Sequence, residues 1–339
     1  MSDRREGESR RGFVGGLTLL GTATLLGVRS PEAAEPPPET TTLKLGWSRG
    51  VCQAPQYVGE ELLRAEGFAD IQYVPKGGTV EQRLTALASG EAHIVATFIG
   101  PVLRRLDSGD PITLVGGLHA GCFELFGSHR VRTIRDLKGK AVAIPELRGP
   151  QHLFLASILT HVGVDAQKDI EWAVHPFAES SRLLAEGKIG AFLGFPPEPQ
   201  ELRARKLGHV MVNSALDRPW SQYFCCVFVG NTEFIRRNPV ATKRALRAIL
   251  KAAELCALDP ERTARTLTEK GYTARHDYAA QAMRDIPYRR WRDYDPEDTV
   301  RFYALRLHEA GMIKSSPKKI IAQGTDWRFF NELRKELKG

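Results

Sequence analysis

Between Leu43 and Val212, short apolar runs alternate with helical segments, and that alternation limits the fold more than any other feature. Leu43–Ser48 alternates like a first strand. Gln53–Glu66 reads as a helix, with Pro55 in its first turn and Gly67 as its stop. Ile71–Pro75 is a second strand, and Gly77-Gly78-Thr79 a turn whose threonine caps a helix over Val80–Ser89. His93–Phe98 reads as a third strand, Gly100–Asp107 as a helix and Ile112–Leu118 as a fourth strand. Such a series predicts a mostly parallel sheet.

A second unit follows. Ala141–Ile144 is a strand, Gly149-Pro150 opens a helix to about Val162, and Glu171–His175 is a strand. Ser180–Glu186 reads as helix, Ile189–Leu193 as strand, Pro197–Lys206 as helix and His209–Val212 as strand. Gln222–Val229 crosses back as an apolar run. The remainder is helical over Asn238–Cys256, Asp259–Glu269, Tyr278–Arg284, Pro296–Ala310 and Asp326–Leu337. Two such units predict an α/β protein of two lobes, joined by crossings near Ser128–Thr133 and Ser214–Tyr223. Its cleft lies beyond the carboxyl ends of the strands and can close by hinge bending. The predicted division is 43–130 plus 224–339 for lobe 1 and 131–223 for lobe 2.

The segment before Leu43 has another character. Ser9-Arg10-Arg11-Gly12-Phe13-Val14 and the uncharged stretch to Val28 resemble a bacterial twin-arginine export signal. The run is too short and too rich in glycine for a membrane span. Small residues near Ala34 suit a peptidase, giving a leader over 1–34 and a proline-rich flexible neck over 35–42. An exported chain is periplasmic and has the twin-arginine machinery as a partner, which removes most ATP- and NAD-dependent metabolism. Without the leader about 305 residues remain, enough for two lobes. The whole chain carries a formal charge of +8, spread rather than concentrated in a basic, aromatic-laced block. Nucleic acid is therefore not an expected partner, while anionic ligands are tolerated. The five cysteines are scattered at positions 52, 122, 225, 226 and 256. Their spacing offers neither a disulfide framework nor a metal motif, so no metal and no cofactor is expected.

Ile134–Ala143 resembles the DLKGK-type opening of the second lobe in periplasmic solute-binding proteins of ABC importers. The spacing onward to Gly149-Pro150-Gln151-His152 and Gly163-Val164 is similar to their next helix. Arg182–Ala191 resembles their L-x-x-G-x-V-D-A segment, and Thr79–Phe98 their A-L-x-x-G-x-x-D segment. The similarity covers roughly Leu43–Cys256 and is greatest to the nitrate/sulfonate/taurine type, which includes pyrimidine-precursor binders. His93 and Gly190 replace the two aspartates of those patterns. The resemblance implies a monomer that captures a small-molecule ligand, delivers it to a membrane ABC permease and does no chemistry. The alternatives are an extracytoplasmic enzyme on the same scaffold and a ligand-sensing receptor subunit.

Candidate ligand-binding residues sit where strands meet helices. Trp47, Ser48, Arg49 and Gln53 follow the first strand; Trp47 either stacks on a ligand or packs in the core. Gly78 and Thr79 offer helix N-terminal amides, and Phe98 ends the third strand. Gly121, Cys122 and Phe123 follow the fourth. Strand alternation predicts that His119 and Cys122 diverge, which argues against a catalytic pair. In the second lobe Arg148, Gly149, His152 and Phe195 are candidates, with Arg148 suited to a carboxylate, sulfonate or phosphate. The expected ligand is a small organic molecule, anionic or aromatic.

Overall fold

The computed structural model describes residues 35–48, 50–75 and 77–338. The leader expected over 1–34 and the candidate Arg49 lie outside the described residues. From Thr42 the chain forms β1 (Thr42–Gly46), α1 (Ala54–Val58), α2 (Glu60–Ala65), β2 (Asp70–Val74), α3 (Val80–Ala88), β3 (Ile94–Phe98), α4 (Ile99–Asp107) and β4 (Ile112–Ala120). It continues through β5 (Glu124–Gly127), β6 (Lys140–Ile144), α5 (Pro150–His161), β7 (Ile170–Val174), α6 (Phe177–Ala185), β8 (Ala191–Gly194), α7 (Glu198–Ala204) and β9 (His209–Asn213). β10 (Phe224–Asn231) leads into α8 (Thr232–Arg237), α9 (Pro239–Leu258), α10 (Pro260–Glu269) and α11 (His276–Asp285). The chain then closes with α12 (Pro296–Glu309), α13 (Pro317–Gly324) and α14 (Arg328–Glu336).

The strands form two five-stranded sheets, ordered β2-β1-β3-β10-β4 and β7-β6-β8-β5-β9. In each, four strands share one direction and the strand arriving from the other lobe is antiparallel to both its neighbours. Burial explains the composition of the strands. Every residue of β3 and β10 is buried, matching their unbroken apolar runs, whereas the edge strand β2 is half-exposed and polar. Gly59 divides the helix expected over 53–66 into α1 and α2, and its missing side chain lets α9 approach closely. A Cβ there would lie 2.9 Å from Ala252 Cβ. The neck also differs from expectation. Glu39 accepts the Val240 and Ala241 N–H groups at 3.0 and 2.8 Å, capping α9 and tying the neck down. No described helix is long and apolar enough to cross a membrane.

The first crossing falls earlier than the sequence predicts. Glu124–Gly127 pairs with β8 and β9, so the chain changes sheets at Gly121–Phe123 rather than at Ser128–Thr133. The second crossing occupies 214–223, as expected. The two are joined. Ser214 Oγ accepts the N–H groups of Cys122 at 3.1 Å and Phe123 at 2.9 Å, and donates to Phe123 O at 2.8 Å. Gly121 holds φ +47°, and a Cβ on it would fall 2.2 Å from Ala215 Cα.

That contact gives a stability test by urea unfolding. Gly121→Ala meets both left-handed strain and a backbone collision, and should cost about 3 kcal/mol or more. Gly139 has φ +72° with open space around it. Gly139→Ala should therefore cost only the strain, about 1 kcal/mol. Ser214→Ala leaves two buried N–H groups without a partner and should cost about 2 kcal/mol or more.

Candidate functional site

A cavity of about 450 Å³ lies between the lobes at the strand ends. Lobe 1 supplies the loop after β1, and α1 holds that loop rigid. Tyr57 Oη accepts the Ser48 N–H at 2.6 Å and donates to Ser48 O at 2.8 Å, while Gln56 Nε2 donates to Gly46 O at 3.0 Å. Trp47, Ser48 and Gln53 of this segment line the cavity, and the buried Gln53 Oε1 has no hydrogen-bond partner. Gly78 and Thr79 line it at the start of α3. There Thr79 and Gln82 form a capping box, with contacts of 2.8 and 3.2 Å.

Among the described residues, the buried Arg83, one turn into α3, is the cationic group that lines the cavity. Its Nη1 donates to Trp47 O at 2.9 Å and Gly78 O at 3.4 Å, and its Nε has no partner. Burial pulls its basicity below the ordinary arginine value. Across the cleft, burial raises the Glu146 carboxyl, partly offset by Arg83. The remaining wall is aromatic. Phe98 and Phe123 meet edge to face at 5.2 Å, and Phe195 lies 6.3 Å from Phe123. A Cβ on Gly50 would lie 3.2 Å from Phe195, so the lobes nearly touch at this rim. The Phe195 loop is held by its N–H, which donates to Glu198 Oε2 at 3.1 Å.

The floor holds a cluster that strand alternation misses. Cys52, Cys122 and Cys226 line the cavity, and with His119 their donor atoms all lie within 4.8 Å of one another. His119 and Cys122 converge because β4 ends at Ala120 and left-handed Gly121 swings Cys122 back. The alternation behind the expected divergence stops one residue too early. Cys226 lies opposite His119 in the β4–β10 ladder, where Cys225 forms a bulge. All five cysteines are buried and free, and Cys122 Sγ lies 3.2 Å from Cys225 Sγ. Hydrogen bonds from Cys122, Cys225 and Cys52 pull the Cys226 thiol below its ordinary range, while burial pushes Cys122 and Cys225 up.

Of the candidates read from sequence, Trp47, Ser48, Gln53, Gly78, Thr79, Phe98, Cys122, Phe123 and Phe195 meet at this cavity. Gly121 shapes the crossing from behind. Arg148, Gly149 and His152 do not line the cavity. Arg148 and Gly149 border a separate recess with Glu81 and Arg104, and Arg148 and His152 a second one with Trp172. The reason lies in the loop. Arg148 takes φ +63°, and its N–H donates to His152 Nδ1 at 2.8 Å. Gly149 makes room for Glu146, whose Cγ would lie 2.3 Å from a Cβ there. Glu146 is thereby turned to the cavity instead. Arg83 was missed because it reads as one polar residue on an amphipathic helix. Its nearness to Gly77-Gly78-Thr79 was the only available signal.

Two five-stranded α/β lobes, two crossings and a cleft cavity define the periplasmic-binding-protein fold, and solved structures agree. The periplasmic nitrate-binding protein NrtA from Synechocystis PCC 6803 is similar at a TM-score of 0.72 and 17% identity, over 89% of this chain and 90% of its own. The alkanesulfonate-binding protein SsuA from Xanthomonas axonopodis pv. citri, bound to MOPS, matches at 0.66 and 18%, over 87% and 100%. The desulfurization enzyme DSZB shares the fold at 0.59 and 14%, over 87% and 99%. The chain belongs to the NMT1/THI5-like family, which residues 64–263, more than half its length, match. No curated protein matches it by sequence.

His152 supplies a pH test of the loop beside the cavity. Burial, aided by Arg148, lowers its pKa to about 4, so the fold holds it neutral. The unfolded chain takes up the proton near pH 6.5, so protonation favours unfolding between 6.5 and about 4. His152→Gln removes this linkage. The stability advantage of the unmutated chain over the variant should shrink by up to about 3 kcal/mol as pH falls through that window. A constant difference in chemical denaturation would contradict the assignment.

Proposed function

We propose that this protein captures a small organic solute between its lobes and passes it unaltered to an ABC-type permease. The observation that carries this reading is the cavity itself. It is walled by Trp47, Thr79, Arg83 and Phe98 from one lobe and by Phe123, Glu146, Gln151 and Phe195 from crossing and opposite lobe. A solute touching both walls favours the closed form by its differential contacts, and closure is what a permease can read. The lobes would be 43–130 plus 224–339 and 131–223, adjusted for the earlier first crossing. The names of the nitrate-binding and alkanesulfonate-binding structures support a solute role in the periplasm. Export by the twin-arginine route and action as a monomer complete the proposal.

The ligand chemistry follows from the walls. The aromatic faces of Trp47, Phe98, Phe123 and Phe195 suit a flat or apolar body, and Arg83 Nε suits one acceptor, best an anionic one. Arg148 points to neighbouring recesses and is not part of this site.

A thermal-shift screen with sulfonates, nitrate, aromatic acids and pyrimidines tests the reading. A binder at one hundred times its Kd should add about 2.7 kcal/mol. For an anionic hit, Arg83→Lys should weaken binding by about tenfold or more, the equivalent of one charge-assisted hydrogen bond. Arg148→Ala should change it less than about twofold. The hit should be recovered unchanged by mass spectrometry. A silent screen, a converted compound or equal losses in the two variants would contradict the proposal.

A further inference from the structure

The thiol and imidazole groups at the cavity floor are arranged for more than packing. We propose that Cys52, Cys122, Cys226 and His119 form a binding site for one thiophilic divalent cation of the zinc type. The donor atoms come from three separate parts of the fold: the turn after β1, the β4 end with its crossing, and β10. Three thiolates and one imidazole are a standard zinc donor set. A tetrahedron with metal–sulfur bonds of about 2.3 Å has donors roughly 3.8 Å apart. Groups already within 4.8 Å need only a small inward movement.

The imidazole is oriented for the task. His119 is fully buried, and its Nδ1 lies 3.1 Å from Ala120 O. A carbonyl only accepts, so Nδ1 carries the hydrogen and Nε2 presents its lone pair. That Nε2 is buried without a hydrogen-bond partner. A backbone carbonyl holding the far nitrogen is the usual outer support of a metal-bound histidine. Tyr288 stands edge-on to the ring at 5.3 Å and donates to Cys52 O at 2.8 Å, bracing two ligand segments at once. Cys225 Sγ approaches Cys122 but is not one of the four donors, and neither is Cys256. The cation displaces the thiol protons on binding, so uptake releases acid. The site does not depend on solute capture, because its ligand is the metal alone.

Cobalt(II) added to the full chain under a phosphine reductant tests the site. One equivalent should produce a thiolate-to-cobalt charge-transfer band and the visible absorption of tetrahedral cobalt, and zinc should abolish both. Cys226→Ser, Cys52→Ser and His119→Gln should each weaken cobalt binding by more than about one hundredfold, the loss that removing an outer partner of a ligand can reach. Cys225→Ser and Cys256→Ser should bind as the unmutated chain does. Should a variant fail to fold, X-ray absorption of the zinc-loaded unmutated chain decides the matter. Three sulfurs at about 2.3 Å and one nitrogen at about 2.0 Å are expected. Absence of the band in fully reduced protein, its persistence in folded Cys226→Ser, or a zinc shell of only oxygen and nitrogen would overturn the proposal.

Discussion

The contact between Gly121 and the backbone of Ala215 is the constraint on which the site depends. It brings the outgoing and returning crossings within van der Waals reach, a distance that any side chain at 121 would prevent. Once they touch, the Ser214 hydroxyl satisfies the amides of Cys122 and Phe123, and the two crossings behave as one joint. The same left-handed turn rotates Cys122 toward His119 and sends Phe123 into the aromatic wall. One residue thus sets the path between sheets, the cavity floor and part of its lining.

Away from the joint, apolar packing and polar ties together hold the lobes: Phe154 of α5 meets Phe98 and Tyr303 of lobe 1 at 5.4 and 6.1 Å between ring centres. Arg203 of α7, which also pairs with the buried Glu124 of its own lobe, pairs across with Asp285 of α11, and Gln200 donates to Asp285 at 2.9 Å. Gln167 donates to Ala310 O at 2.7 Å. Partly exposed ion pairs of this kind contribute little net stability but fix orientation.

Much of this architecture was legible in sequence. Unbroken apolar runs marked β3 and β10, Thr79 announced the α3 cap, and Gly149-Pro150 announced α5. His93, which stands where the family pattern has an aspartate, acts locally: its Nδ1 accepts the Lys44 N–H at 3.2 Å, and it does not line the cavity. What escaped was set by tertiary contact. The four residues of β5 fall within the lobe 1 expected over 43–130, because nothing in so short a segment says which sheet it will join. The metal-like cluster joins residues 174 positions apart at its extremes, and no local spacing encodes that. Arg148, the most obvious anion binder in sequence, is turned away by its own left-handed backbone, while Arg83 is drawn in by two carbonyls.

The central claim is capture of a guest, unaltered, between two walls. Electron density from a crystal grown with the strongest hit of the ligand screen tests it most directly. The account predicts one intact molecule in the 450 Å³ cavity, in contact with Trp47 or Arg83 on one side and Gln151 or Phe195 on the other. A molecule bound elsewhere, held by a single lobe, or found as a reaction product would contradict it.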